Sequence, residues 1–155
     1  MKKPKSFKDL VLGLLMVAAL GCAAYFIADL LKAEIVPGDI AVKSGETEIT
    51  TLCRVVSEQQ NGGVTDGSRF DLAVDAADFP VLHMEKGIVL EATQDPYGSM
   101  YYTVYAEDCT ELYYRSEYFG YPEENGTYYI VIDTKWGEKN HFFTTQHGFA
   151  LVIDE

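Results

Sequence analysis

Hydrophobic and polar positions divide this chain into two regimes. Positions 10–28 form a run of nineteen residues without a charge, close to the roughly 20 apolar residues that cross a bilayer as a helix. From Val36 onward the apolar positions recur with period two between turn residues, the mark of half-buried strands. Positions 40–43 lead through Ser44-Gly45 into Thr47, Ile49, Thr51, Cys53 and Val55, with Glu46, Glu48, Thr50 and Arg54 on the other face, which predicts a hairpin. Asn61-Gly62-Gly63 and Asp66-Gly67-Ser68 predict a loop, followed by a strand in which Phe70, Leu72 and Val74 alternate with Arg69, Asp71, Ala73 and Asp75. Further strands are predicted over 88–92, 100–106 and 111–114. A terminal hairpin pairs 127–136 with 142–153 around Gly137-Glu138-Lys139-Asn140, and Gly148 marks a bulge in its last strand. Seven to eight short strands at this spacing predict an all-β, antiparallel sandwich, with a small barrel as the second solution.

Lys2, Lys3, Lys5 and Lys8 stand before the apolar run, so its N-terminal side is expected to stay inside and everything after it to lie outside the cytoplasm. Three tethers share that topology: a retained signal-anchor helix, a cleaved secretory signal, and a lipoprotein signal cut before Cys22. Ala19-Leu20-Gly21-Cys22 is similar to a lipobox with its first two positions exchanged, and Gly21-Cys22-Ala23 has the small-x-small form of a secretory cleavage site. The chain stays apolar after Cys22, through Tyr25, Phe26 and Ile27, which favours the retained anchor. The expected organisation is a signal-anchor segment over 1–33, touching the bilayer through residues 10–31, and one extracytoplasmic domain over 34–155. Cleavage would make that domain secreted or lipid-anchored instead.

Charge sharpens the division. Residues 1–33 carry five lysines against two acids, whereas residues 34–155 carry seven Lys plus Arg against twenty-two Asp plus Glu. Such an acidic domain repels phosphate backbones, so nucleic acid is excluded as an expected partner. The acids are dispersed along the chain, the pattern of a solvated surface. Cys53 and Cys109 are the two cysteines of this domain, and an oxidising compartment would allow them to pair. Cys53 also fits as a free core thiol on the apolar side of its strand.

Near the C-terminus, Glu124-Asn125-Gly126-Thr127-Tyr128-Tyr129-Ile130 resembles the tyrosine corner of immunoglobulin-like domains, which implies that the Tyr128 hydroxyl bonds back to nearby backbone. Ile130 stands where an antibody domain carries its second strand cysteine, and Trp136 falls too late for that fold's core tryptophan. The whole plan, a lysine-flanked anchor, a short strand near Gly38-Asp39-Ile40, then a Gly-Thr-Tyr-Tyr strand and a closing hairpin, resembles extracytoplasmic Ig-like domains of Gram-positive bacterial membrane proteins. That resemblance implies a sandwich and a compartment and carries over no catalytic residue.

Familiar chemistry is missing from the motifs: the sequence has no Walker loop, GxGxxG, HExxH, GxSxG or EF-hand loop. His141 and His147, six apart on one strand, would sit roughly 20 Å apart, too far to share a metal ion, and His83 stands alone. Asp71 and Asp75 on one strand would be about 13 Å apart, which argues against calcium. Neither a cofactor nor a metal is expected. Ten of the eleven tyrosines fall between Tyr97 and Tyr129. Alternation puts Tyr102 inside and Tyr101 and Tyr105 on the opposite face, with Tyr118, Phe119 and Tyr121 in a nearby loop. Aromatic rings give large contact area at low entropy cost, so Tyr101, Tyr105, Tyr118, Phe119 and Tyr121 are the candidate binding face. The expected function is a non-enzymatic, membrane-tethered binding domain engaging a protein or a cell-envelope component. A carbohydrate-binding module using the same tyrosines, and a structural or sensory ectodomain of a membrane complex, are the alternatives.

Overall fold

The computed structural model describes residues 7–30 and 34–154. The chain divides into two units, Met1–Glu34 and Ile35–Glu155. In the first, α1 (Phe7–Leu30) is one continuous helix that runs through Cys22 without a break. Its described side chains, 11–27, are all exposed, and apolar residues such as Leu12, Leu14, Leu15, Val17 and Leu20 occur on every side of the helix. Among the described residues, no helix is long and apolar enough to cross a membrane. Lys2, Lys3 and Lys5 lie outside the described residues.

The second unit is all-β in its framework, with ten strands in two sheets. The smaller sheet has the order β2-β1-β6, from β1 (Ile40–Ser44), β2 (Thr47–Thr50) and β6 (Ile88–Ala92), all antiparallel. Lys43 ties it together on the outside, reaching Glu91 at 2.6 Å and Glu48 at 3.4 Å. The larger sheet has the order β4-β3-β10-β9-β7-β8, from β3 (Leu52–Gln60), β4 (Gly63–Asp66), β7 (Tyr101–Ala106), β8 (Glu111–Ser116), β9 (Gly126–Glu138) and β10 (His141–Ile153). Beyond the end of β3, the short β5 (Val81–His83) takes over the same edge of β10 as its one parallel neighbour. Period-two sequence therefore becomes two packed, almost wholly antiparallel sheets.

The main core lies between the sheets. Ile40 and Val42 from the small sheet meet Tyr102, Val104, Tyr128, Ile130, Ile132, Trp136, Phe149, Leu151 and Ile153 from the large one, with Leu82 of β5 among them. A second, smaller cluster sits on the outer face of the large sheet. There Phe79 packs on Val131 and Ala150, with Phe70, Leu72, Tyr105 and Tyr129 around it.

Four expectations change. The strand expected from Thr47 to Val55 is broken at Thr51, where the chain leaves the small sheet and enters the large one. Residues 70–75 are not a strand: Asp71 caps a single helical turn, α2 (Leu72–Asp75), by accepting from the Ala73 N–H, and a 3-10 turn over Ala76–Asp78 follows. Arg54 clamps that turn onto β3 with a bidentate grip on Asp75 at 2.6 and 2.8 Å. Two strands escaped the period-two reading, β4 and β5; the former pairs with β3 through Asn61-Gly62, both at positive φ (49° and 85°), as a two-residue hairpin turn requires. Finally, the irregularity in β10 lies between Thr144 and Thr145, opposite an extra residue of β3, rather than at Gly148. Gly148 serves a different end. A Cβ there would drive into the Phe79 ring, so glycine lets the outer cluster close on the sheet.

Gly148→Ala is accordingly expected to destabilise the protein by about 1–3 kcal/mol through overpacking, measured by urea unfolding. Combining it with Phe79→Leu should recover part of that loss.

Candidate functional site

The large sheet separates the tyrosines expected to form one platform. On β7, Tyr102 points into the core and is 7 % exposed, while Tyr101 and Tyr105 lie on the outer face. Phe119 and Tyr121 fold back on the core side: the Phe119 ring is 5.2 Å from that of Tyr102 and 5.8 Å from that of Tyr121. These two are half-buried, packed against the core on the side of the sheet opposite Tyr101 and Tyr105, so the five residues do not form one continuous face. Tyr118 is 86 % exposed at the rim of a shallow cavity of about 170 Å³ lined by Tyr102, Tyr113 and Tyr121. Tyr105 joins the outer cluster beside Phe79, and burial there pushes its hydroxyl pKa up. Of the five, Tyr101 lines a second cleft.

That cleft lies on the outer face of the large sheet and has a volume of about 180 Å³. β9 contributes Asp133 and Lys135, β10 contributes Thr144, and the loop before β7 contributes Tyr97, Gly98 and Ser99. Arg115 enters by a local irregularity. Between the pairs Tyr102↔Ser116 and Val104↔Tyr113, β8 holds two residues against one on β7, and Arg115 adopts φ 43°. A bulge of this kind re-aims a side chain, and the guanidinium lies over the Tyr101 ring, 4.6 Å from its centroid. Left-handed backbone at a non-glycine residue costs on the order of 1 kcal/mol, held here by the strand pairs on both sides. Lys135 lies over Phe142 at 5.0 Å, and Phe142 is stacked at a tilt on Tyr97 at 5.6 Å. Asp133 is already engaged, accepting from Arg69 and from the Gln146 amide, each at 3.1 Å.

A second constellation, inside the core, was invisible in the sequence pattern. His147 and Trp136 are both fully buried, although Trp136 does not stand at the antibody fold's core-tryptophan position. Trp136 Nε1 donates to Thr145 Oγ1 at 2.8 Å, and Thr145 Oγ1 lies 3.0 Å from His147 Nε2. On the other side of the ring, Thr51 Oγ1 lies 3.0 Å from Nδ1 and donates to the Ile40 carbonyl at 3.0 Å. One proton assignment satisfies every group: Thr51 spends its hydrogen on Ile40, so Nδ1 carries the ring proton and Nε2 accepts from Thr145. Burial lowers the His147 pKa from 6.5 to about 4, so the ring is neutral at pH 7.

Cys53 Sγ is 3.7 Å from His147 Nε2, close enough to raise the question of a thiol–imidazole nucleophile. The electrostatics run the opposite way. Burial raises the thiol pKa from 9.0 to about 11, whereas a reactive cysteine has its pKa lowered beside a histidinium. Thiol and imidazole are both neutral here, and Nε2 is held by Thr145. Cys53 and Cys109 are free thiols, correcting the pairing entertained for them. Cys53 lies on β3 and Cys109 in the turn that follows β7, with β10 and β9 between those two strands, a separation of about 14 Å at the usual strand spacing, against at most about 7 Å between the Cα atoms of a disulfide. Cys22 is a free, exposed thiol within α1.

Among the described residues no group of three or more His, Cys, Asp and Glu could hold a metal ion. Asp71 and Asp75 are one helical turn apart rather than along a strand, yet Asp75 is occupied: Arg54 holds its carboxyl below the usual carboxylate range, assisted by the Asp71 N–H. His141 and His147 share β10, and His141 meets Glu58 at 2.7 Å. At the corner, the Tyr128 hydroxyl donates to the Glu124 carbonyl at 3.0 Å.

No protein-family model, no curated protein and no solved structure matches this chain.

Thr145 faces Thr134 across β9 and β10, and the pair gives a test of opposite sign. Thr145→Val strips Trp136 Nε1 and His147 Nε2 of their partner and should cost about 2–3 kcal/mol. The Thr134 hydroxyl is buried without a partner, so Thr134→Val should gain about 1 kcal/mol; urea midpoints of the two variants read both. His147 generates a pH dependence as well. Its folded pKa of about 4 lies below the unfolded value of 6.5, so its neutral form contributes fully above pH 6.5. That contribution is lost as pH falls from 6.5 to about 4, on the order of 3 kcal/mol in all. Between pH 7 and 5, above the carboxylate range, the slope of stability against pH should flatten in His147→Gln.

Proposed function

We propose that this chain is an extracytoplasmic binding domain, tethered through its N-terminal segment and without catalytic chemistry of its own, which engages a protein or cell-envelope component through the outer-face cleft. The observation that carries the reading is the contrast between its two polar constellations. The buried one has every hydrogen bond internally spent and its thiol and imidazole both neutral. The outer one leaves cations and rings facing an open cleft. Binding there would bury aromatic area inside a polar rim, the usual anatomy of a recognition site.

The tether rests on the sequence, on the uncharged run over 10–28 and the lysines before it, and not on the helix itself, which among the described residues is not long and apolar enough to cross a membrane. Likeness to Ig-like domains of Gram-positive membrane proteins rests on two packed sheets and on the Tyr128 hydroxyl bond to Glu124. A carbohydrate ligand is favoured over a flat protein partner by one feature: the cleft is small and concave, with Tyr97 and Tyr101 as walls.

The deciding experiment is expression of the full-length chain in a Gram-positive host, with fractionation, intact mass and protease added to intact cells. An uncleaved membrane species whose domain is removed from outside is the expected result. Loss of residues 1–21 with a diacyl mass on Cys22 would replace the helical anchor by a lipid one and keep the binding reading. A protease-protected cytoplasmic species would refute it.

A further inference from the structure

Three of the seven cationic side chains of the acidic second unit, Arg69, Arg115 and Lys135, converge on one cleft. In a unit whose carboxylates outnumber its cations about threefold, chance pairing would be expected to neutralise them. It neutralises one. Arg69 is matched by Asp133, which is itself mostly buried and shared with Gln146. Among the described residues, Arg115 and Lys135 make no ion pair; each lies over an aromatic ring instead. Ring faces hold a cation in place without cancelling its charge. The left-handed backbone at Arg115 points the same way, because the bulge that delivers this guanidinium to Tyr101 is strained and, among the described residues, brings it into no ion pair, Asp133 of the same cleft being held by Arg69.

Two cations held over rings are matched by an oxyanion, which an arginine can grip with two parallel hydrogen bonds. Cleft size limits what carries that oxyanion. About 180 Å³ is below the ~300–1,000 Å³ typical of sites for drug-sized ligands, and fits one small ring. The remaining lining is suited to a sugar: it includes the partly exposed aromatic Tyr97 and the hydroxyl-bearing residues Ser99 and Thr144. We propose that the outer-face cleft binds a single acidic sugar unit, with Arg115 and Lys135 on its carboxylate or phosphate and Tyr97 against its ring. This inference rests on reading the cleft as the binding site and names the ligand class for it.

The test titrates the full-length, isotopically labelled chain in non-ionic detergent with glucuronate, glucose 6-phosphate, glucose and inorganic phosphate, reading amide shifts. Saturable shifts at Tyr97, Tyr101, Arg115 and Lys135 are expected with glucuronate or glucose 6-phosphate, and whichever binds more tightly identifies the oxyanion as carboxylate or phosphate. Binding should weaken about tenfold or more in Arg115→Ala and in Lys135→Gln, and fall with added salt, as for a charge-assisted contact. Unchanged urea midpoints in both variants separate lost binding from lost folding. Equal binding of glucose would overturn the acidic part while leaving a sugar-binding cleft. Inorganic phosphate acting as strongly as glucose 6-phosphate would reduce the site to an adventitious ion only. Cleft amides unmoved by all four probes would overturn the inference outright, and the binding-domain reading would then stand or fall by the fractionation result.

Discussion

His147 joins the two sheets by hydrogen bonds and not by hydrophobic contact alone. Its ring lies in β10, at the middle of the large sheet, and its Nδ1 side meets Thr51 at the corner where the chain leaves the small sheet. Thr51 returns to Ile40 of β1 through both its N–H and its hydroxyl. On the other side, Thr145 links the ring to the indole of Trp136 in β9. Indole, hydroxyl, imidazole, hydroxyl and carbonyl form a directional chain in which each donor has an acceptor. Apolar packing tolerates sliding, whereas such a chain fixes which residue faces which, because any slip leaves buried donors unpaired.

The rest of the architecture follows from that corner. Breaking the strand at Thr51 frees β3 to pair with β10, which places Arg54 where it can clamp Asp75 and close the α2 turn over the outer face. That turn brings Phe79 down on Gly148 and covers one end of the outer face. The other end stays open, and there Arg115, Tyr101, Lys135 and Tyr97 gather. Thr134 apart, the polar groups described in the interior are satisfied, while, among the described residues, Arg115 and Lys135 stay unpaired outside, the division expected if the interior serves stability and the surface serves recognition.

Opposite shifts on Cys53 and His147 show why proximity of catalytic residue types is a weak sign of catalysis. Desolvation acts on each group against its charged form, raising an acid and lowering a base. Here burial outweighs the Asp39 carboxylate, which adds to the shift on Cys53 and only partly opposes the one on His147, so the pair settles in its neutral state. Reactive pairs need the reverse, and the outer cleft, where charge is retained over ring faces, is the more reactive environment in the sense that matters for binding.

Period two in the sequence was enough to make the second unit all-β, to place β1, β6, β7 and β9 within a residue or two, and to pair the closing hairpin, because burial on one face of a strand writes alternation directly into the chain. The same rule put Tyr102 inside and Tyr101 outside. It failed over residues 70–75, where alternation was accidental and a local cap on Asp71 with a distant clamp from Arg54 decided the backbone. It was silent on Phe119 and Tyr121, whose loop carries no periodicity and whose burial depends on the shape of the core they cover. His147 with Trp136, and Arg115 with Tyr101, were equally illegible, since each pair meets only across strands. Sequence determined which residues seek water and which avoid it, a property each carries alone. Which polar groups find partners, and which cations are left without one, was decided by the tertiary structure, because hydrogen bonds and ion pairs depend on distances that exist only after the sheets have closed.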